Sequence, residues 1–145
     1  MTHPAVAVRS ARERALQTLW FEAIGIAVVA PLYALGAGSS VSSSALLLVA
    51  LSLAVMAWSA CFNTAFDLLE RRWARRRASD RTQRWRIAHA LLHEASAVLV
   101  TWPLIVALTD LGWLEALVAD LALTLIYAAY AYLFHLGFDR LRPVR

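Results

Sequence analysis

Residues Arg14–Leu35 read R-A-L-Q-T-L-W-F-E-A-I-G-I-A-V-V-A-P-L-Y-A-L, and Arg86–Leu108 read R-I-A-H-A-L-L-H-E-A-S-A-V-L-V-T-W-P-L-I-V-A-L. Beyond the opening arginine, each carries one acidic residue in an otherwise apolar run. A helix crosses the hydrocarbon of a bilayer in about 20 such residues. The two stretches also coincide at one offset. Arg14 and Arg86, Glu22 and Glu94, and Pro31 and Pro103 are each 72 apart (86 − 14, 94 − 22, 103 − 31). Apolar residues match easily by chance in such a chain; intramembrane acids and their preceding arginines do not.

Working outward, Phe62 and Phe134, Phe66 and Phe138, and Asp67 and Asp139 keep the same offset, with Trp58 opposite Tyr130. Four apolar blocks follow: about Ala15–Leu35, Ser44–Phe66, Ile87–Thr109 and Leu114–Phe138. Lipid offers no partner to open backbone groups, so each block must be helical. The expectation is an all-α membrane protein of four transmembrane helices, built as two helical hairpins over residues 1–72 and 73–145. Two spans per copy return the chain to its starting side. The copies then share one topology, related by an axis along the membrane normal, as in parallel-repeat transporters. Composition agrees: of 145 residues 61% are hydrophobic, against roughly half in soluble domains, and the mean hydropathy is +0.59.

The charge pattern orients the chain. The 14 basic residues are all arginine. Arg9, Arg12 and Arg14 precede or open the first span. Arg71, Arg72, Arg75, Arg76, Arg77, Arg81, Arg84 and Arg86 lie between the second and third, and Arg140, Arg142 and Arg145 follow the fourth. The other two connections carry none. The positive-inside rule therefore places both termini in the cytoplasm. The sequence pI near 10 would suggest nucleic acid in a soluble protein. Here the arginines set topology and meet anionic headgroups, and no nucleic-acid partner is expected. Glu22 interrupts the first block and the repeat pairs it with the third, so it reads as a retained span rather than a cleaved signal peptide. Cys61, the single cysteine, has no intramolecular disulfide partner.

A carboxylate at lipid depth is costly, about 2.5–3.5 kcal/mol for Asp on insertion scales, and persists when paired, when facing the bundle interior, or when functional. Glu22 and Glu94 lie about two turns inside their helices. Such a group can hold a proton while dry and release it when water or a cation arrives; the structural alternative is a hydrogen bond between helices. Asp120, in the outer half of the fourth span, has Leu48 as its repeat counterpart. Asp67 and Asp139 end the second and fourth spans and are expected to brace the hairpins against Arg14 and Arg86. His89 and His93 share a helix face, but sequence supplies no third metal ligand, so hydrogen-bonding or proton-accepting histidines are expected and no metal. Trp58 and Tyr130 can offer an aromatic wall to a lipophilic cation, or simply pack.

These motifs resemble those of the proteobacterial antimicrobial compound efflux transporters, two tandem bacterial transmembrane pair domains. That family's odd helices carry R-x-x-H-A-x-x-F/Y-E. Arg86, His89, Ala90 and Glu94 match in the third helix, with His93 in place of the aromatic. Arg14, Phe21 and Glu22 match in the first, with Gln17 in place of histidine. The second helix resembles W-N-x-x-F/Y-N-x-x-F-D/E through Trp58, Phe62, Asn63, Phe66 and Asp67, with Ser59 replacing the first asparagine. The fourth resembles an Asp-initiated motif ending F-N/Q-x-x-F/Y-D through Asp120, Thr124, Tyr130, Phe134, Phe138 and Asp139, with His135 at the amide position.

The resemblance implies proton-coupled export of lipophilic cationic biocides and polyamines across the bacterial inner membrane, with Glu22 as coupling residue. On this reading Glu22, Glu94, Trp58, Asn63, Tyr130 and Asp120 are the proton and substrate residues, and Arg14, Asp67, Arg86, His89 and Asp139 are structural or gating. No cofactor and no enzymatic step are expected, and no GxxxxGK loop is present for direct ATP use. The competing reading is a non-transporting assembly factor or subunit of a larger membrane complex. Four short helices enclose little space, so a homodimer is expected; a single monomeric species in native mass spectrometry across protein concentrations would count against it.

Overall fold

The computed structural model describes residues 11–74 and 82–142, with the side chains of residues 11 and 139 excepted. Asp139, as a side chain, and Arg9, Arg75, Arg76, Arg77, Arg81 and Arg145 thus lie outside the described residues. The helices are α1 (Ala11–Ala37), α2 (Val41–Leu69), α3 (Gln83–Leu108) and α4 (Trp113–Leu141), and α2 runs on into a π-helical turn, Glu70–Ala74. All four are long and apolar enough to cross a membrane. At 1.5 Å per residue, each exceeds the roughly 30 Å hydrocarbon core. Pro31 and Pro103 lie within α1 and α3.

The two hairpin turns show how equivalent positions solve one problem with different residues. Ser40 and Gly112 are 72 apart, and each precedes a helix. Their carbonyls accept the first helical bonds, from Ser44 N–H (3.0 Å) and Ala116 N–H (2.8 Å). A helix start also leaves orphan N–H donors. At Ser40 the side chain takes one, accepting from Ser43 N–H at 3.1 Å. At Gly112, which lacks a side chain, Glu115 reaches back and accepts the Gly112 N–H at 3.0 Å. These are the two halves of a capping box, one used by each copy.

The end of α1 depends on glycine. Ser39 N–H donates to Ala34 C=O at 3.1 Å, and Gly38 between them has φ +63°. This is the left-handed helix stop in which a β-carbon is strained. Gly38→Ala is expected to destabilise the chain by about 1–2 kcal/mol, read as a lower unfolding midpoint in detergent.

The chain divides into two compact units that are not the two sequence copies. One draws on Met1–Leu46 and Ala122–Arg145, the other on Leu47–Leu121. The first therefore holds α1 with the latter half of α4, and the second holds most of α2 with α3. Their buried residues are mostly small or aliphatic: Val29, Ala30, Ala34 and Ser44 in the first, Leu48, Leu51, Ala97, Ile105 and Ala116 in the second. Without a hydrophobic force between helices in lipid, small side chains that allow close backbone approach supply the packing.

Candidate cation and proton site

In the unit holding α1 and the end of α4, Glu22 sits beside an aromatic cluster. Phe21 lies 5.0 Å from Tyr130, 5.3 Å from Phe134 at 80°, and is stacked on His135 at 5.6 Å. Tyr130 O–H donates to Phe21 C=O at 2.7 Å, on the residue next to the glutamate. Gly25 makes this possible: a β-carbon there would meet Tyr130 Cε1 at 3.0 Å and Tyr127 Cε1 at 3.5 Å. Tyr127 and Tyr130 both lie within electrostatic range of Glu22. The Tyr127 hydroxyl is buried without a hydrogen-bond partner among the described residues. A buried hydroxyl left unmatched costs free energy unless water or a ligand reaches it.

The other unit repeats this design with altered chemistry. His93, counterpart of Phe21, lies 5.3 Å from Phe62 at 77°, nearly the Phe21–Phe134 geometry. Phe62–Phe66 and Phe134–Phe138 stand at 5.7 and 5.6 Å. Where Tyr130 reaches the Phe21 carbonyl directly, Trp58 reaches the His93 carbonyl through a relay. Its indole N–H donates to Ser96 Oγ (3.0 Å), and Ser96 O–H donates to His93 C=O (2.9 Å). Ala97 occupies the position of Gly25, so the direct approach is closed there. Glu94 differs from Glu22 in exposure: its side chain is 62% exposed, 3.6 Å from His93 Nδ1.

The four departures from the family motifs form two contacts. Gln17 Nε2 donates to His135 Nδ1 at 3.0 Å. The usual pattern places histidine on the odd helix and the amide on the even one; here the two have changed places. Ser59 Oγ lies 2.8 Å from His93 Nε2, so the hydroxyl replacing asparagine meets the imidazole replacing an aromatic. Each departure has its compensation across the helix pair. Exchanging both Gln17→His and His135→Asn is therefore expected to cost less than the sum of the single changes. The coupling should be about 0.5–1.5 kcal/mol in a double-mutant cycle on thermal stability. Additive effects would remove the pairing.

The remaining expected residues divide. His89 packs on Phe66 at 4.7 Å and on Phe62 at 5.3 Å. Arg14, Asp67, Arg86 and Asn63 are exposed. Asp120 is buried, with Thr101 Oγ at 2.8 Å from its Oδ2. Reading the sequence did not single out Gly25, Ser96, Thr101 or Glu70. For three of these a signal existed in the repeat: glycine opposite alanine, Ser96 opposite Ile24, and Thr101 opposite Val29. Glu70, buried in the π-helical turn, has Arg142 as its counterpart, and the repeat carries no hint of it.

Four helices able to span a bilayer, in tandem copies, define a multi-pass membrane protein. The chlorhexidine efflux transporter family model matches residues 9–72 and again 81–144, its bounds displaced by the same 72 residues (81 − 9, 144 − 72), and the chain belongs to that family. It is thus a transporter of the bacterial inner membrane. It is 27% identical over 131 residues to a short-chain diamines transporter of Vibrio parahaemolyticus serotype O3:K6 (strain RIMD 2210633), covering 90% of this chain and 91% of that protein. It is 30% identical over 82 residues to a short-chain diamines transporter of Acinetobacter baylyi (strain ATCC 33305 / BD413 / ADP1), covering 57% of this chain and 55% of that one. No solved structure matches the chain.

Proposed function

We propose that the chain exports small organic cations, from short aliphatic diamines to lipophilic cationic biocides, in exchange for protons bound at Glu22. The observation that carries this is the setting of Glu22: an intramembrane carboxyl group within electrostatic range of Tyr127 and Tyr130, with the Tyr127 hydroxyl unmatched. An ammonium group there meets a carboxylate, an acceptor hydroxyl and aromatic faces, the three partners a weakly hydrated cation favours. The same carboxyl binds a proton when the cation leaves, and mutually exclusive occupancy is what couples the two fluxes. The diamine-transporting relatives support the cation class, and both copies of the family motif support transport over an assembly role. Purified protein in liposomes, with an imposed proton gradient, tests the reading. Chlorhexidine or a short diamine should move against the proton flux; if neither moves in either direction, the reading is lost.

A further inference from the structure

Asp120 and Thr101 meet between α4 and α3 in the half of the span away from the arginines. Asp120 is 4% exposed and Thr101 5%. Thr101 Oγ has two close oxygens: Asp120 Oδ2 at 2.8 Å, and the carbonyl of Ala97, one turn earlier on α3, at 3.0 Å. A threonine hydroxyl has one hydrogen, while a peptide carbonyl and an ionised carboxylate can only accept. With an ionised Asp120 the one hydrogen would be divided between two acceptors in a three-centre bond, weaker toward each. A neutral carboxylic acid gives each acceptor its own hydrogen: its O–H donates to Thr101 Oγ, and the threonine hydrogen goes to Ala97 C=O. We propose that Asp120 carries a proton here, making the Asp120–Thr101 pair a second proton-binding site, separate from Glu22.

Two further observations agree. The repeat counterparts of Thr101 and Asp120 are Val29 and Leu48, 0% and 1% exposed. The fold fills these positions with apolar side chains in one copy, so packing does not require the polar pair; burying it costs free energy, and intramembrane acids kept at such a cost are functional by default. The sequence also offers no cation at this depth. There is no lysine, and no arginine lies between Arg14 and Arg71 or between Arg86 and Arg140. On α3 the nearest titratable groups are His93 and Glu94, about two turns from Thr101. On α4 they are Glu115, engaged with Gly112 N–H, and Tyr127. Across residues 41–60 α2 has none, and α1 beyond Glu22 has only Tyr33.

The use of this proton in transport rests on the exchange proposed at Glu22; its presence does not. Infrared spectroscopy of the full chain in lipid bilayers reads it directly, by the C=O stretch of a protonated carboxylic acid at neutral pH. Wild type and Glu22→Gln should both show the band. Asp120→Asn should lose it. So should the double variant Thr101→Val with Asp120→Leu, which introduces the apolar side chains that stand buried at the equivalent positions 29 and 48 and is therefore expected to fold. Survival of the band in the Asp120 variants, or its absence from wild type, overturns the proposal. Loss of the band in Glu22→Gln alone would assign the proton to Glu22 and overturn it equally. No substrate is needed, so a chain that transports nothing can still show the band, and the two readings fail separately.

Discussion

Glu22→Gln is expected to abolish proton-driven export while leaving the helices folded. Glutamine keeps the shape and hydrogen-bonding reach of glutamate but neither the charge nor the exchangeable proton. Removing one partner of a desolvated charge pair costs about 2–5 kcal/mol, so cation affinity should fall at least about thirtyfold at 1.4 kcal/mol per tenfold. The pH dependence gives the sharper reading. In wild type, lowering the pH fills Glu22 with a proton and expels the cation, so binding of a fluorescent lipophilic cation should strengthen as pH rises. In Glu22→Gln the weakened binding should no longer vary with pH. Equal binding by both proteins, or a parallel pH dependence, would give Glu22 a structural role and leave coupling unexplained. Glu94→Gln makes the internal comparison. Its side chain is 62% exposed against the half-buried Glu22, so its effect on cation affinity should be the smaller one.

Much of the fold was legible because lipid removes choices. An apolar run of sufficient length in a membrane has only the helix open to it, and a repeat at constant offset fixes the number of turns. What the repeat could not give was adjacency. It states that Phe21 corresponds to His93, not which helix either one packs on. The structure packs α1 against the latter half of α4, and α2 against α3, so the packed units cut across the sequence copies. Contacts across these pairs join residues far apart in the chain, 118 positions for Gln17 and His135 and 34 for Ser59 and His93. Read along the chain, these four residues were isolated departures; in space they are two exchanges of hydrogen-bonding partners. Tyr130 and Trp58 were legible as equivalents, but their partners were not. One bonds a backbone carbonyl, which no sequence pattern marks, and the other a serine in an apolar register.

The same comparison shows why the copies are not interchangeable. In the unit of Glu22, the slot left by Gly25 lets Tyr130 press on α1 and hold the carbonyl just before the glutamate. In the unit of Glu94, Ala97 fills that slot and a serine relay bridges the gap. Duplication supplied one scaffold twice, and small substitutions beside each glutamate then set how closely the aromatic wall approaches it. The half-buried acid is the one with the tight wall.

Gly25→Ala is therefore expected to damage the site more than a methyl group on a membrane helix ordinarily would. The new β-carbon would stand 3.0 Å from Tyr130 Cε1 and 3.5 Å from Tyr127 Cε1; the second is ordinary contact, but the first obliges the Tyr130 ring to shift by a few tenths of an ångström. Overpacking of this kind costs about 1–3 kcal/mol, and displacing Tyr130 from the Phe21 carbonyl forfeits a hydrogen bond worth about 1 kcal/mol more. Transport should fall with stability, since the ring that moves is the one beside Glu22. Tyr130→Phe separates the two contributions: it keeps the ring, loses only the hydrogen bond, and should fall between wild type and Gly25→Ala in unfolding midpoint. The repeat also supplies a rescue. Combining Gly25→Ala with Ile24→Ser and Tyr130→Trp copies Ala97, Ser96 and Trp58, and should recover most of the stability lost by Gly25→Ala alone. A triple variant no more stable than the single one would mean that the relay in the second unit depends on surroundings the first unit lacks, and that the two aromatic ties are not equivalent solutions.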